Sequence, residues 1–224
     1  MRMGQIVVIL LIGAIAVLYA LDLAGDGRGA TELAPAEVRE YQGERLSSIA
    51  DLRENSIRGP QHVNASTYTL TVDGLVENGE EYSYGALIER FPHYRKVVTL
   101  SCVEGWDVTI LWEGVRVKDL LEEAGVKPGA NTVIFYAEDG YSSSLPLAYI
   151  EDRDILLAYA MNNVTLPADR GFPFQLVAED RWGYKWVKWV TRIEVSDDAN
   201  YRGYWESRGY SNNGSLDRSF FDWG

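Results

Sequence analysis

The chain has 224 residues, 46% hydrophobic and 24% charged, a globular composition that excludes a disordered or collagen-like protein. Its 33 acidic residues outnumber 21 basic ones, and a net charge of −12 argues against nucleic acid as a partner. One cysteine, Cys102, excludes an internal disulfide, an iron–sulfur cluster and a cysteine-rich zinc site, and a haem held inside the chain would need both histidines, His62 and His93. Any redox cofactor here must need very few protein ligands.

The first element in chain order is apolar. Ile6 to Leu21 runs 16 residues without a charge, about 24 Å as a helix, and Gln5 and Asp22-Leu23 extend it to the spanning limit. This predicts a membrane anchor over residues 1–23. A cleaved signal peptide is one alternative, with Leu18-Tyr19-Ala20 and Asp22-Leu23-Ala24 as its best cleavage sites, and a buried core helix is another. Arg2 before the run and Asp22 and Asp26 after it put the N-terminus in the cytoplasm and the body outside. Residues 24–45, rich in Gly, Ala and charge, read as a linker, and residues 46–224 as one domain.

Within that domain strand signals dominate. Thr67–Asp73 alternates Tyr68, Leu70 and Val72 with threonines and ends in the turn pair Asp73-Gly74. Further strands are predicted at Lys96–Leu100, Thr132–Ala137, Ile155–Met161, Phe174–Ala178 and Trp186–Val195, with a hairpin turn at Asn162-Asn163. Helices are short: Tyr84–Arg90 capped by Ser83 and stopped by Pro92, Val117–Ala124 closed by Gly125, and Leu147–Glu151 opened by Pro146. The fold class expected is α+β, a mostly β, mixed-sheet single domain.

Two stretches carry chemistry. Cys102 lies in TLSCVEGWDV, just past a predicted strand, where a scaffold presents a reactive or ligating group. A lone cysteine is more often a small buried hydrophobe, but Glu104, Trp106 and Asp107 beside it do not suit an apolar core. With no histidine in a recognisable pairing, a soft metal accepting one thiolate fits better than a nucleophile. Arg170–Arg192 holds five basic residues against two acidic ones, interleaved with Trp182, Trp186 and Trp189. As a strand it would place Lys185, Val187 and Trp189 on one face. It reads either as an edge strand whose lysines block aggregation or as an aromatic-walled pocket for a phosphate-bearing heterocycle.

SCVEGW, DGYSSSLPL, GFPFQLV with GYKWVKW, and GYWESRGYSNNG together resemble the molybdopterin-binding oxidoreductase domain of the sulfite oxidase superfamily, from about Asn55 to Gly214. Cys-Val-Glu-x-Trp is most similar to the branch of the protein-methionine-sulfoxide reductase catalytic subunit. The resemblance implies a molybdenum–molybdopterin cofactor with Cys102 as the metal's protein ligand. It implies Glu104, Trp106 and Tyr141 at the reacting face. Asn55, Arg58, Gly59, Arg170, Gln175, Lys185, Trp186, Val187 and Lys188 would contact the pterin and its phosphate. Gln175 stands where relatives commonly have arginine, and Ala137 where some have threonine. The implied activity is oxygen-atom transfer on a sulfoxide or related small-molecule or protein-bound oxo substrate. Electrons would be exchanged with a haem- or quinone-linked membrane partner. The alternatives are a sulfite-oxidising subunit, with Arg58 and Arg181 as candidate anion ligands, and a non-catalytic cofactor-binding module. Seven aromatics crowd residues 201–224, and Phe220-Phe221-Asp222-Trp223, past the matched region, reads as an interaction element.

Overall fold

The computed structural model describes residues 36–221. The predicted anchor over 1–23 lies outside them, as do residues 222–224. Among the described residues no helix is long and apolar enough to cross a membrane.

Two five-stranded sheets organise the domain. The first has the order β10(Val164–Thr165)-β9(Leu156–Met161)-β6(Asp107–Arg116)-β5(Tyr94–Ser101), with β11(Gln175–Val177) also on β9, all antiparallel. The second has the order β4(Glu80–Ser83)-β3(Thr69–Gly74)-β12(Val190–Ser196)-β7(Thr132–Ala137)-β8(Ser142–Pro146) and is mixed, because β12 runs parallel to β3. Inward side chains of both sheets form one continuous core, in which every residue of β9 is buried.

The local chemistry of the helices matches their sequence signals. Ser83 Oγ accepts the Ala86 amide at 3.2 Å and opens α1(Tyr84–Arg90). In α2(Val117–Ala124) the stripe Val117, Leu120, Leu121 and Ala124 is buried, and Gly125 (φ 72°) ends the helix in the left-handed conformation that glycine adopts without steric cost. Pro146 precedes α3(Leu147–Asp152). Asn162 and Asn163 both hold positive φ and turn β9 into β10.

Two expectations are corrected. Residues 36–45 are not a bare tether: β1(Glu40–Tyr41) and β2(Glu44–Arg45) form a small hairpin. The segment is pinned by Val38 N–H to Asn162 O (3.0 Å) and by Asn162 Nδ2 to Glu37 Oε1 (2.9 Å). The predicted strand Trp186–Val195 begins only at Val190. Gly183–Lys185 is a 3-10 turn, and Trp189 sits at φ 50°, so Tyr184 to Val187 are all buried rather than alternating. Nor is this an edge: β12 is the central strand of its sheet.

Candidate active site

Cys102 is placed by a hairpin. Strands β5 and β6 pair in register down to Ser101–Asp107, and the five residues between them close on Cys102 N–H to Trp106 O (2.9 Å) and Gly105 N–H to Cys102 O (3.0 Å). Gly105, at φ 81°, makes this tight return possible. Glu104 is exposed, and Trp106 Nε1 donates to its Oε2 at 3.1 Å, which fixes the carboxylate beside the thiol. Burial pushes the Cys102 thiol up, and the Glu104 carboxylate adds to this. The Glu104 amide, the Asn55 side chain and the Arg53 charge favour the thiolate but do not outweigh burial. A cation at the sulfur would reverse that balance and deprotonate it.

The thiol opens into a cavity of about 480 Å³, large enough for a cofactor. Of the residues singled out in the sequence, the cavity wall gathers Asn55, Cys102, Glu104, Trp106, Tyr141, Arg170, Gln175, Trp186 and Lys188. It does not gather Arg58, Gly59, Lys185 or Val187. Arg58 reaches the turn at Gly140, Gly59 is a positive-φ turn residue, and Val187 is fully buried. The Lys185 ammonium is fully buried on Glu206 at 2.7 Å. Tyr141 lines the cavity, but its hydroxyl donates to Tyr184 O at 2.5 Å, and burial raises its pKa well above the phenol range.

The cavity mixes charges within its aromatic walls. Arg53, Arg170 and Lys188 face Glu104, Asp139 and Asp169. Of the basic residues in Arg170–Arg192, Arg181 lies over the Tyr149 ring at 4.1 Å and Arg192 pairs with Asp73 at 3.0 Å, both off the cavity wall. Trp189, one of the tryptophans of the expected aromatic wall, lines the cavity, whereas the sequence does not mark Arg53, Asp139, Tyr184, Tyr204, Trp205 and Tyr210 as wall residues. The aromatic density of residues 201–210 was a usable signal for the last three; an isolated Arg53 offered none.

The pocket end is built around Gly171. At φ 97°, a Cβ there would come 3.0 Å from Gln175 Cβ and 3.2 Å from Lys188 Cβ, so glycine lets Arg170, Gln175 and Lys188 converge. Lys188 Nζ bonds Glu54 Oε1 at 3.0 Å, and burial lowers its pKa against that bond. Arg170 pairs with Asp169 at 3.4 Å, while its Nε is buried with no hydrogen-bond partner. Such an orphaned donor is costly unless a ligand meets it.

The family model for the oxidoreductase molybdopterin binding domain matches residues 57–205. The chain belongs to this molybdopterin-binding oxidoreductase family. It is 36% identical over 152 residues to the uncharacterized oxidoreductase YuiH of Bacillus subtilis, covering 67% of this chain and 76% of that one. It is 31% identical over 151 residues to a putative protein-methionine-sulfoxide reductase subunit, YedZ1, of Azospira oryzae, covering 67% and 57%. With Gallus gallus sulfite oxidase it shares 32% over 178 residues, 66% of this chain but 39% of the relative. The solved sulfane dehydrogenase SoxCD of Paracoccus pantotrophus has the same fold, with a TM-score of 0.60 and 28% identity over 63% of this chain and 41% of that one.

The protein is therefore an oxidoreductase of the molybdenum-cofactor kind, and the residues present fit that group. One thiol suits a metal that takes one protein sulfur, and the partnerless Arg170 Nε with Lys188 suits a phosphate. Lys188→Ala is expected to weaken cofactor retention by about 1.5–3 kcal/mol, the worth of a charge-assisted hydrogen bond. Molybdenum content after dialysis checks this, and wild-type retention would contradict it.

Proposed function

We propose that this chain is the molybdenum-bearing component of an oxidoreductase that removes an oxygen atom from a neutral sulfoxide or similar dipolar oxo substrate. The observation that carries the reading is the charge pattern near Cys102. Arg170 and Lys188 are already engaged with Asp169 and Glu54, and Arg53 is the cavity cation with no ion-pair partner among the described residues. Arg53 and the Glu104 carboxylate both act on the Cys102 thiol, and Trp106, Tyr204, Trp205 and Tyr210 line the same cavity. One unpaired cation among the carboxylates of Glu104 and Asp139 and an aromatic wall suits an S–O dipole with soft apolar substituents better than a dianion. A sulfite dianion would meet Glu104 as a like charge and would want several arginines, yet Arg181 is stacked on Tyr149. A non-catalytic module would have no need of Cys102 on the cavity wall.

Bound at Cys102, the molybdenum cofactor supplies two-electron oxygen-atom transfer. The balance is sulfoxide plus two electrons and two protons giving sulfide and water. Arg53 orients the substrate oxygen, Glu104 held by Trp106 excludes dianions, and the aromatic wall excludes water. Tyr141 does not give up its proton; it anchors the wall through Tyr184. The chain's one cysteine leaves no iron–sulfur ligand set, so the electrons come from a separate partner. The uncharged run Ile6–Leu21 supports a membrane-anchored domain outside the cytoplasm, beside a membrane-bound haem or quinone-linked partner. The name of the Azospira relative, a subunit, agrees with a two-component arrangement.

Arg53→Ala is expected to raise KM for a sulfoxide roughly tenfold, about 1.4 kcal/mol of lost charge-assisted bonding, with kcat nearly unchanged. Steady-state kinetics with an artificial donor check it. An unchanged KM would remove Arg53 from the site.

A further inference from the structure

Behind the cavity lies a buried ion pair with no part in the chemistry above. Lys185 Nζ bonds Glu206 Oε1 at 2.7 Å, and both side chains are 0% exposed. Ser143 Oγ donates to the same oxygen at 2.5 Å, while Glu206 Oε2 is buried without a partner. Burial lowers the Lys185 pKa, against the attraction of Glu206. Such a pair is weak evidence for stability, since apolar residues of similar volume often serve as well. Its position is informative instead. Lys185 sits between the wall residues Tyr184 and Trp186, and Glu206 follows the wall residues Tyr204 and Trp205.

The segment carrying Glu206 has no sheet of its own to hold it. It is stapled at two glycines: a Cβ on Gly203 would fall 2.2 Å from Ser142 O, and one on Gly214 would fall 2.7 Å from Lys185 Cγ. Trp182 N–H to Gly214 O (2.8 Å) and Tyr184 Oη–H to Ser211 O (2.7 Å) bind the far half. Between the staples, Glu206 is the carboxylate that the chain sends inward.

We propose that Lys185 and Glu206 are positioning residues that fix Tyr204, Trp205 and Tyr210 as one wall of the Cys102 cavity. Lys185 then acts through Glu206 rather than by touching the pterin phosphate. This rests on the sulfoxide reading only for its kinetic readout. The wall itself is read by hydrogen exchange, which needs no turnover.

The test compares wild type, Glu206→Gln and the double variant Lys185→Met/Glu206→Leu, each as the molybdenum-loaded protein. The double variant leaves no buried charge unpaired and is expected to melt near wild type. Its amides at 203–212 should exchange at least tenfold faster, while those of β7 and β12 stay protected. Its KM for a sulfoxide should rise about tenfold at unchanged molybdenum content. Glu206→Gln, which keeps one acceptor for Lys185 and Ser143, should fall between the two and carries the test if the double variant does not fold. Wild-type exchange and KM in a stable double variant, or in Glu206→Gln when that alone folds, would overturn the proposal. Wall loosening in a protein inactive on sulfoxides would uphold it and sink the substrate reading instead.

Discussion

Cys102→Ser is expected to abolish turnover and leave the fold intact. The hairpin loop that presents the side chain is closed by backbone groups, Cys102 N–H to Trp106 O and Gly105 N–H to Cys102 O, none of which the substitution touches. The side chain is buried, with 6% exposure, and serine is slightly smaller, so packing loses about 1 kcal/mol at most. The chemistry loses far more. A serine hydroxyl is a hard, weakly acidic donor and a poor substitute for the soft thiolate that molybdenum takes. Activity with an artificial donor, the metal's electronic spectrum and the melting temperature check the separation of site from fold. Unchanged turnover would remove Cys102 as the ligand, and unfolding would make it a core residue.

The largest effect on stability is expected at Gly114, in the longest strand of the first sheet. A Cβ there would lie 2.3 Å from Leu157 O and 2.7 Å from Ala158 Cα, both backbone atoms of β9 that cannot swing away. Gly114 also sits where the β6–β9 register shifts, so the close approach is part of the pairing itself. Gly114→Ala must push two central strands apart. The expected cost is about 3 kcal/mol, the upper end for overpacking, and a melting temperature lower by about 6–12 °C. A variant melting within a degree of wild type would contradict the close approach. Because β6 begins at the Cys102 loop, cofactor retention should fall with it.

Much of the fold was legible because its elements announce themselves locally. Tyr68, Leu70 and Val72 alternate with threonines, and all three are buried in or beside β3. Ser83, Gly125 and the asparagine pair 162–163 act through nearest neighbours, so single residues were enough to place them. Strand β6 was missed because Ile110, Leu111 and Trp112 are all buried and show no alternation. Strand β8 was missed because its serines are poor strand formers and β7 imposes the pairing. The false strand over Trp186–Trp189 came from a period-two pattern of lysine and aromatic residues. In the structure a 3-10 turn at Gly183–Lys185 precedes that segment, Trp189 holds positive φ, and Trp186, Val187 and Trp189 are all buried.

The site divides in the same way. Cys102, Glu104 and Trp106 are close in sequence, and residue type alone marked them. Arg53 and Glu206 meet the cavity or its backing only through long-range packing, and no local pattern encodes that. The tail shows the limit of composition. Phe220-Phe221-Asp222-Trp223 reads as an interaction element, and residues 222–224 lie outside the described residues. Phe220 packs on Trp182 at 5.5 Å between ring centroids, whereas Phe221 touches Tyr210 at 5.1 Å but stays 37% exposed. Tyr210 is itself a wall residue, so both rings touch the cavity wall through it, with Phe221 also facing solvent. Deleting residues 219–224 is therefore expected to raise KM rather than leave activity intact, and kinetics with an artificial donor check it.

Measuring the molybdenum-loaded wild-type protein on two substrates tests the sulfoxide assignment most directly. One assay follows sulfoxide reduction with an artificial electron donor, and the other follows sulfite oxidation with an artificial acceptor. The charge pattern around Cys102 predicts that kcat/KM for the sulfoxide exceeds that for sulfite at least tenfold, about 1.4 kcal/mol in transition-state stabilisation. Sulfite turning over faster than the sulfoxide would contradict the account.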